Sequence, residues 1–176
     1  MPAAYIAVNI AYSMGLKDVP ILDVSILMAG YVMRVLYGGI ITGTGTSGWV
    51  FLTMMSFSFF MGFGKRRNEL QKYGSGGRKI LRHYTQGFLD RGLQLSLSMS
   101  VIFYALACND AGTVPSQSGR SLLWSVPVMF VLCLRYMMLL DSDSDGDPVS
   151  VAFSDRWLRL IAFAYMVLVL LLLYVL

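Results

Sequence analysis

The sequence predicts an all-α fold, a polytopic bundle of transmembrane helices. Hydrophobic residues make up 56% of the 176 residues and charged residues only 14%, whereas about a quarter of the residues in a soluble domain are charged. The apolar residues also form blocks close to the roughly 20 residues that a helix needs to cross a bilayer. The alternating polar and apolar pattern of barrel strands is absent from these blocks. Helices are therefore expected, because they satisfy every backbone amide within the segment.

Five apolar blocks predict five full spans. They cover residues 21–42, 48–64, 93–108 with a polar lead-in, 122–140 and 157–176. A shorter apolar segment, 2–14, has neither the basic stretch nor the cleavage site of a signal peptide, and it predicts the end of a further helix. We therefore expect residues 1–176 to form a single membrane domain of one partial and five full spans.

The basic residues predict which loops face the cytoplasm, because lysine and arginine accumulate on that side of a membrane. With five spans, the loops 15–20, 65–82 and 141–156 share one side, and the loops 43–47 and 109–120 share the other. The loop 65–82 carries seven cations, whereas the second group carries only Arg120. The sequence thus predicts a multi-pass protein of the plasma (inner) membrane whose polar site faces the cytoplasm.

Two charged residues, Asp23 and Arg34, lie inside the first full span. They are eleven residues apart, close to three helical turns, so they share one face with Gly30 and Tyr37. A charge within a span is costly and normally faces the bundle interior or a wet cavity. We expect this stripe to line a cavity. The alternative is a structural contact to a neighbouring helix, with Asp23 at the membrane boundary.

A run of cations, Lys65, Arg66 and Arg67, directly follows the second span, with Glu69 close behind. Such a run can set the topology and contact anionic headgroups. It can also bind phosphate oxygens, which guanidinium groups do in a bidentate manner. The spacing leaves both alternatives open. Glu69 is expected to orient the run through an i,i+4 pair with Lys65.

Four more residues on the same predicted side are candidates for phosphate contacts. Tyr12 and Lys17 precede the first full span, and Arg78 and Arg82 follow the Gly-rich stretch 74–77. We expect Tyr12 and Lys17 to contact phosphate directly, with Arg78 and Arg82 as secondary candidates.

No metal site is expected within the chain. His83 is the only histidine, and Cys108 and Cys133 fall in or beside separate apolar blocks, where small core residues are expected. The acidic run 141–147 resembles the start of an EF-hand, but Ala152 stands where a bidentate glutamate is needed, so a solvated turn is predicted. Sequence motifs of a nucleophilic triad or a nucleotide-binding loop are absent, and no nucleic-acid partner is expected.

Six stretches, taken in order, resemble the C-terminal part of the UbiA superfamily of membrane prenyltransferases. The branch that they match is decaprenyl-phosphate phosphoribosyltransferase, and the resemblance spans nearly the whole chain. The stretches are YSMGLKDVPILDV (12–24), AGYVMRVLYGG (29–39), GFGKRRNEL (62–70), RKILRHYTQGFLD (78–90), LRYMMLL (134–140) and DPVSVAFSDRWL (147–158). The ordered set is much more specific than any single stretch.

The resemblance implies a nine-helix bundle around a cavity open to the cytoplasmic leaflet. It implies an enzyme that transfers 5-phosphoribosyl from phosphoribosyl pyrophosphate to a polyprenyl (decaprenyl) phosphate in the membrane lipid, for precursors of cell-wall arabinan. It also implies Mg²⁺ as the cofactor, held by an NDxxDxxxD motif in the N-terminal half of the family. That motif is absent here, so this chain alone is expected to be inactive.

The second acidic motif of the superfamily, DxxxD, is replaced here by KRRNE at residues 65–69. The replacement suits two anionic substrates, because fixed cations neutralise phosphate oxygens directly. The expected catalytic residues are Lys65, Arg66, Arg67 and Glu69, and the expected substrate-binding residues are Tyr12, Lys17, Asp23, Arg34, Arg78 and Arg82. Two alternatives remain: a prenyltransferase acting on an aromatic acceptor, which an intact DxxxD would favour, and a non-catalytic membrane subunit.

Overall fold

Five α-helices make up most of the described structure, a computed structural model that describes residues 18–43, 47–76, 79–110, 122–141 and 155–174. No strand occurs among these residues. Two short 3-10 turns, Gly74–Gly76 and Lys79–His83, lie between the second and third helices. The helices are α1 (Leu22–Thr42), α2 (Gly48–Tyr73), α3 (Gln86–Cys108), α4 (Ser125–Asp141) and α5 (Arg156–Tyr174).

Three of the described helices, α1, α3 and α5, are long and apolar enough to cross a membrane. Helix α4 has 17 residues, and α2 has 26 but carries charged residues in its last turns. At 1.5 Å per residue α2 is about 39 Å long. Large apolar side chains such as Ile41, Phe163 and Met166 remain exposed, as lipid-facing residues do. The predicted all-α membrane bundle is confirmed.

The structure corrects the boundary between the second span and the basic loop. Residues 65–82 were predicted to be a loop, but α2 continues through Lys65 and ends only at Tyr73. Most residues of the segment 65–73, KRRNELQKY, are good helix formers. The helix ends at Gly74, whose φ of 54° is a conformation that glycine adopts readily. The cation run is therefore held on a continuous helix.

The core lies where α2 packs against α1, α3 and α4. Buried Phe60 and Phe63 of α2 contact a cluster that includes Leu93 of α3 and Leu140 of α4. On the α1 side, a Cβ at Gly62 would lie 2.6 Å from Val24 Cγ1. This glycine therefore allows α1 and α2 to approach closely, as small residues do in membrane helices.

Helices α4 and α5 are joined by an ion pair at the start of α5. Arg135 donates from Nε and Nη2 to the two carboxylate oxygens of Asp155, each at 3.0 Å. Asp155 Oδ2 also accepts from the Leu158 amide at 2.8 Å, which caps α5.

The prediction for the cysteines is confirmed, since Cys108 and Cys133 are both buried and free.

Candidate functional site

Arg66 is the centre of a buried ion-pair network where α1 and α2 meet. The residue is 1% exposed and Asp23 is fully buried. Its Nε donates to Asp23 Oδ2 at 2.5 Å, and its Nη1 donates to Glu69 Oε2 at 2.6 Å. A buried charge is tolerated when it is paired and hydrogen-bonded, so these carboxylates hold the guanidinium in place.

Tyr84 completes this network from the segment before α3. Its hydroxyl donates to Asp23 Oδ1 at 2.6 Å and accepts from the Ile21 amide at 2.7 Å. Burial, together with the hydrogen bond to Asp23, raises the pKa of the Tyr84 hydroxyl well above its usual value. The hydroxyl is therefore a neutral donor at physiological pH.

Arg67 forms a second network that joins α2, α3 and α4. Its Nε donates to Asp90 Oδ1 at 2.5 Å, its Nη1 to the Leu140 carbonyl at 3.1 Å, and its Nη2 to Asp141 Oδ1. A cavity of about 230 Å³ lies beside this group, and its polar lining comes from Arg67, Asp90, Gln94 and Asp141. Three helices thus meet at one guanidinium.

Lys65 differs from the two arginines. It is half-buried and makes no ion pair with any residue that the structure describes. The three cations of the run stand against four carboxylates, those of Asp23, Glu69, Asp90 and Asp141. The arginine charges are thus already neutralised, and Lys65 is the cation of the run that can accept a new anionic partner without breaking an ion pair.

Asp23 and Arg34 both lie on the continuous helix α1, but their surroundings differ. Asp23 is buried beside Arg66, whereas Arg34 is exposed and lies over the Tyr31 ring, 5.6 Å from its centroid. For Asp23, the ion pair with Arg66 is the structural contact to a neighbouring helix that the sequence left open as the alternative. Roles in substrate binding stay predictions for both residues.

Two further expectations about partners are corrected. Glu69 was expected to pair with Lys65, but it pairs with Arg66, three residues earlier. Arg66 faces the bundle interior, where it also binds Asp23. Asp141, expected in a solvated turn, is the last residue of α4 and binds Arg67.

Arg82 is exposed in the Lys79–His83 turn. The predicted residues Tyr12, Lys17 and Arg78 and the run 142–147 lie outside the described residues.

Sequence reasoning missed Tyr84 and Asp90 as members of the site. Both lie in the stretch RKILRHYTQGFLD, at residues 78–90, which carried the family resemblance. Their position in that stretch was the signal that could have identified them. The sequence spacing alone does not connect either residue to Arg66 or Arg67.

The described residues do not fit a magnesium ion. No group of three or more histidine, cysteine, aspartate or glutamate side chains converges among them, and the four carboxylates of the site are bound by arginine. A Mg²⁺ ion requires several oxygen ligands in near-octahedral geometry.

Comparison with curated proteins identifies relatives along almost the whole chain, although no protein-family model matches it. The chain is 33% identical to the decaprenyl-phosphate phosphoribosyltransferase of Mycolicibacterium smegmatis over 93% of its length. The protein of the same name from Corynebacterium glutamicum is 29% identical over 97% of the chain, and that from Mycobacterium tuberculosis H37Rv is 32% identical over 92%.

The chain is a homologue of these transferases. The resemblance read from the six stretches is thereby confirmed. The chain spans about half the length of these relatives, 52–54%.

Proposed function

We propose that the chain supplies the phosphate-binding part of a membrane transferase that moves 5-phosphoribosyl from phosphoribosyl pyrophosphate to a polyprenyl phosphate such as decaprenyl phosphate. The observation that carries the proposal is the cation run on α2, where carboxylates from α1, α3 and α4 fix two arginines beside Lys65, which forms no ion pair within the described part of the chain. The names of the homologues supply the phosphoribosyl group and the lipid phosphate.

The chemistry explains why fixed cations are useful at this site. The C1–O bond to pyrophosphate breaks and takes its electron pair with the leaving group, while a phosphate oxygen of the lipid forms the new bond to C1. Negative charge therefore grows on the pyrophosphate during the reaction, and positive groups held in advance stabilise it most strongly. Lys65 offers a compact point charge for that purpose.

Arg66 and Arg67 have a different part in this proposal. Each guanidinium already has carboxylate partners, so each one fixes the helix that carries Lys65. Glu69 holds Arg66 from the next turn of α2. Preorganisation of this kind avoids the cost of rearranging charged groups as the reaction proceeds.

The proposal places the site at the cytoplasmic face, where the water-soluble donor is available, and the product would supply precursors for cell-wall polymers. Magnesium is proposed as the cofactor, with its ligands among residues other than those described. The steps above use only side chains of this chain.

Binding of the donor provides the test. The chain in lipid nanodiscs should bind radiolabelled phosphoribosyl pyrophosphate saturably, and Lys65→Ala should weaken that binding about tenfold, the value of one charge-assisted contact of about 1.4 kcal/mol. The melting temperature should not change. Lys79→Ala is the matched control, because Lys79 is an exposed cation in the turn after α2.

Two outcomes would contradict the proposal. The first is no saturable binding by the folded chain, which favours a non-catalytic subunit. The second is displacement of the donor by a prenyl pyrophosphate at much lower concentration, which favours a prenyltransferase. Equal losses of affinity in Lys65→Ala and Lys79→Ala would remove Lys65 from the site.

A further inference from the structure

The backbone at Ile21, one residue before α1, adopts an unusual conformation. Its φ is 68°, in the left-handed region that β-branched residues rarely occupy. Such a conformation persists only where the surroundings enforce it. The Ile21 amide donates to the Tyr84 hydroxyl at 2.7 Å, so a side chain from the segment before α3 holds this strained residue.

The same hydroxyl reaches the ion pair of α2. Tyr84 donates to one oxygen of Asp23, and the other oxygen of that carboxylate accepts from Arg66. One oxygen atom thus connects the backbone that enters α1 with the carboxylate that fixes the cation run. Tyr84 is only 5% exposed, and its ring stacks on Phe88 with centroids 5.9 Å apart.

We propose that Tyr84 is a positioning residue for phosphate binding. The inference rests on the proposed function and extends it to a residue that contacts neither substrate. The hydroxyl fixes the entry to α1, four residues after the predicted phosphate contact Lys17 in the sequence. Through Asp23 it also fixes Arg66, the neighbour of Lys65. It therefore fixes the start of α1 relative to the cation run on α2.

Removal of the hydroxyl alone separates this role from packing. Tyr84→Phe keeps the ring stacked on Phe88 but leaves the Ile21 amide without its acceptor and Asp23 without one donor. Tyr104→Phe is the matched control. The Tyr104 hydroxyl also has two hydrogen-bond partners, Ser125 at 2.7 Å and Tyr165 at 2.8 Å, but none of them contacts the cation run.

The experiment measures phosphoribosyl pyrophosphate affinity and melting temperature for both variants in nanodiscs. Both substitutions should lower the melting temperature, and only Tyr84→Phe should weaken binding, by about tenfold (about 1.4 kcal/mol). In an Asp23→Asn background, Tyr84→Phe should add little further loss of affinity, because both changes interrupt one hydrogen-bonded path.

The results separate this inference from the proposed function. If the unmodified chain binds no phosphoribosyl pyrophosphate, the proposed function fails and the positioning role fails with it. If the chain binds and Tyr84→Phe binds equally well, or if Tyr104→Phe loses as much affinity, only the positioning role is overturned. The positioning role is also overturned if the losses of affinity caused by Tyr84→Phe and Asp23→Asn add fully in the double variant.

Discussion

At the scale of single residues, the site is defined by how its charges are paired. Arg66 and Asp23 are both almost completely buried, and a guanidinium is stable in such surroundings only while its carboxylate partner is present. The pair belongs to α1 and α2 at once, so its loss affects the packing of both helices. This arrangement makes Asp23 a structural residue as well as a candidate site residue.

Asp23→Ala should lower the free energy of unfolding by about 3–5 kcal/mol, because it leaves the Arg66 charge buried beside Glu69 alone. Thermal unfolding in lipid nanodiscs measures the change. Asp18→Ala is the control, since Asp18 is an exposed carboxylate five residues earlier. Similar melting temperatures for the two variants would show that the buried pair does not contribute to stability.

The sequence predicted the types of residue in the site but not their partners. A run of three cations after an apolar block, and an aspartate inside the preceding block, are visible in the sequence itself. The pairing of Arg66 with Asp23 joins positions 43 residues apart, and that of Arg67 with Asp141 joins positions 74 apart. Such pairs depend on helix packing, which no local spacing encodes.

At the scale of elements, charge counts misplaced the end of α2. The rule that assigns basic residues to cytoplasmic loops locates the membrane boundary, but it says nothing about whether the helix ends there. Helix propensity and the next glycine decide that, and both favour an end at Gly74. Each of the five apolar blocks corresponds to a described helix, and three of these helices are long and apolar enough to cross a membrane.

The close approach of α1 and α2 gives a test of the packing. In Gly62→Ala the new methyl group would overlap Val24 Cγ1, since a Cβ there lies 2.6 Å away. Val24 is fully buried and cannot easily move, so we expect a loss of about 1–3 kcal/mol. Gly38→Ala in α1 meets no atom within 4 Å and should be neutral or slightly stabilising. Chemical or thermal unfolding that ranks the two variants equally would contradict this packing.

The link between α4 and α5 should depend on pH. The hydrogen bond from Arg135 lowers the pKa of Asp155 below its usual value, so the folded state favours the ionised carboxylate. Its contribution to stability is complete above the unfolded pKa of about 3.9 and disappears as pH falls through the lower folded pKa. The melting temperature should therefore decrease when the pH is lowered below about 4. Asp155→Asn should be less stable at pH 6 and should lose less on acidification, and an identical pH profile would contradict the assignment.

At the scale of the whole molecule, the described helices form a bundle whose polar groups concentrate near the end of α2. Exposed apolar side chains on α1, α3 and α5 face outward, where lipid replaces water. The fold class was predictable from composition, because so few charged residues cannot cover a soluble surface. Which helix faces join was not predictable, since helices in lipid associate through packing details rather than through a hydrophobic stripe.

Orientation in the membrane is open to a direct measurement. Lys72→Cys, near the end of α2, should react with a membrane-impermeant maleimide only after the cytoplasmic side is exposed. Asn109→Cys, just after α3, should react in intact cells. Cys108 and Cys133 are buried and should give a low background. The reverse labelling pattern would place the cation run outside the cell, where it could not contact a cytoplasmic phosphoribosyl donor.

The length of α2 has a consequence for how a long isoprenoid would be handled. Lys65 follows Gly48 by 17 residues, about 26 Å along the axis, in a hydrocarbon layer about 30 Å thick. If α2 crosses the membrane with Gly48 at one interface, the cation run would lie near the headgroups of the opposite leaflet. Under the proposed function, a polyprenyl tail would then remain among the acyl chains while its phosphate contacts the cation run, without extraction from the leaflet.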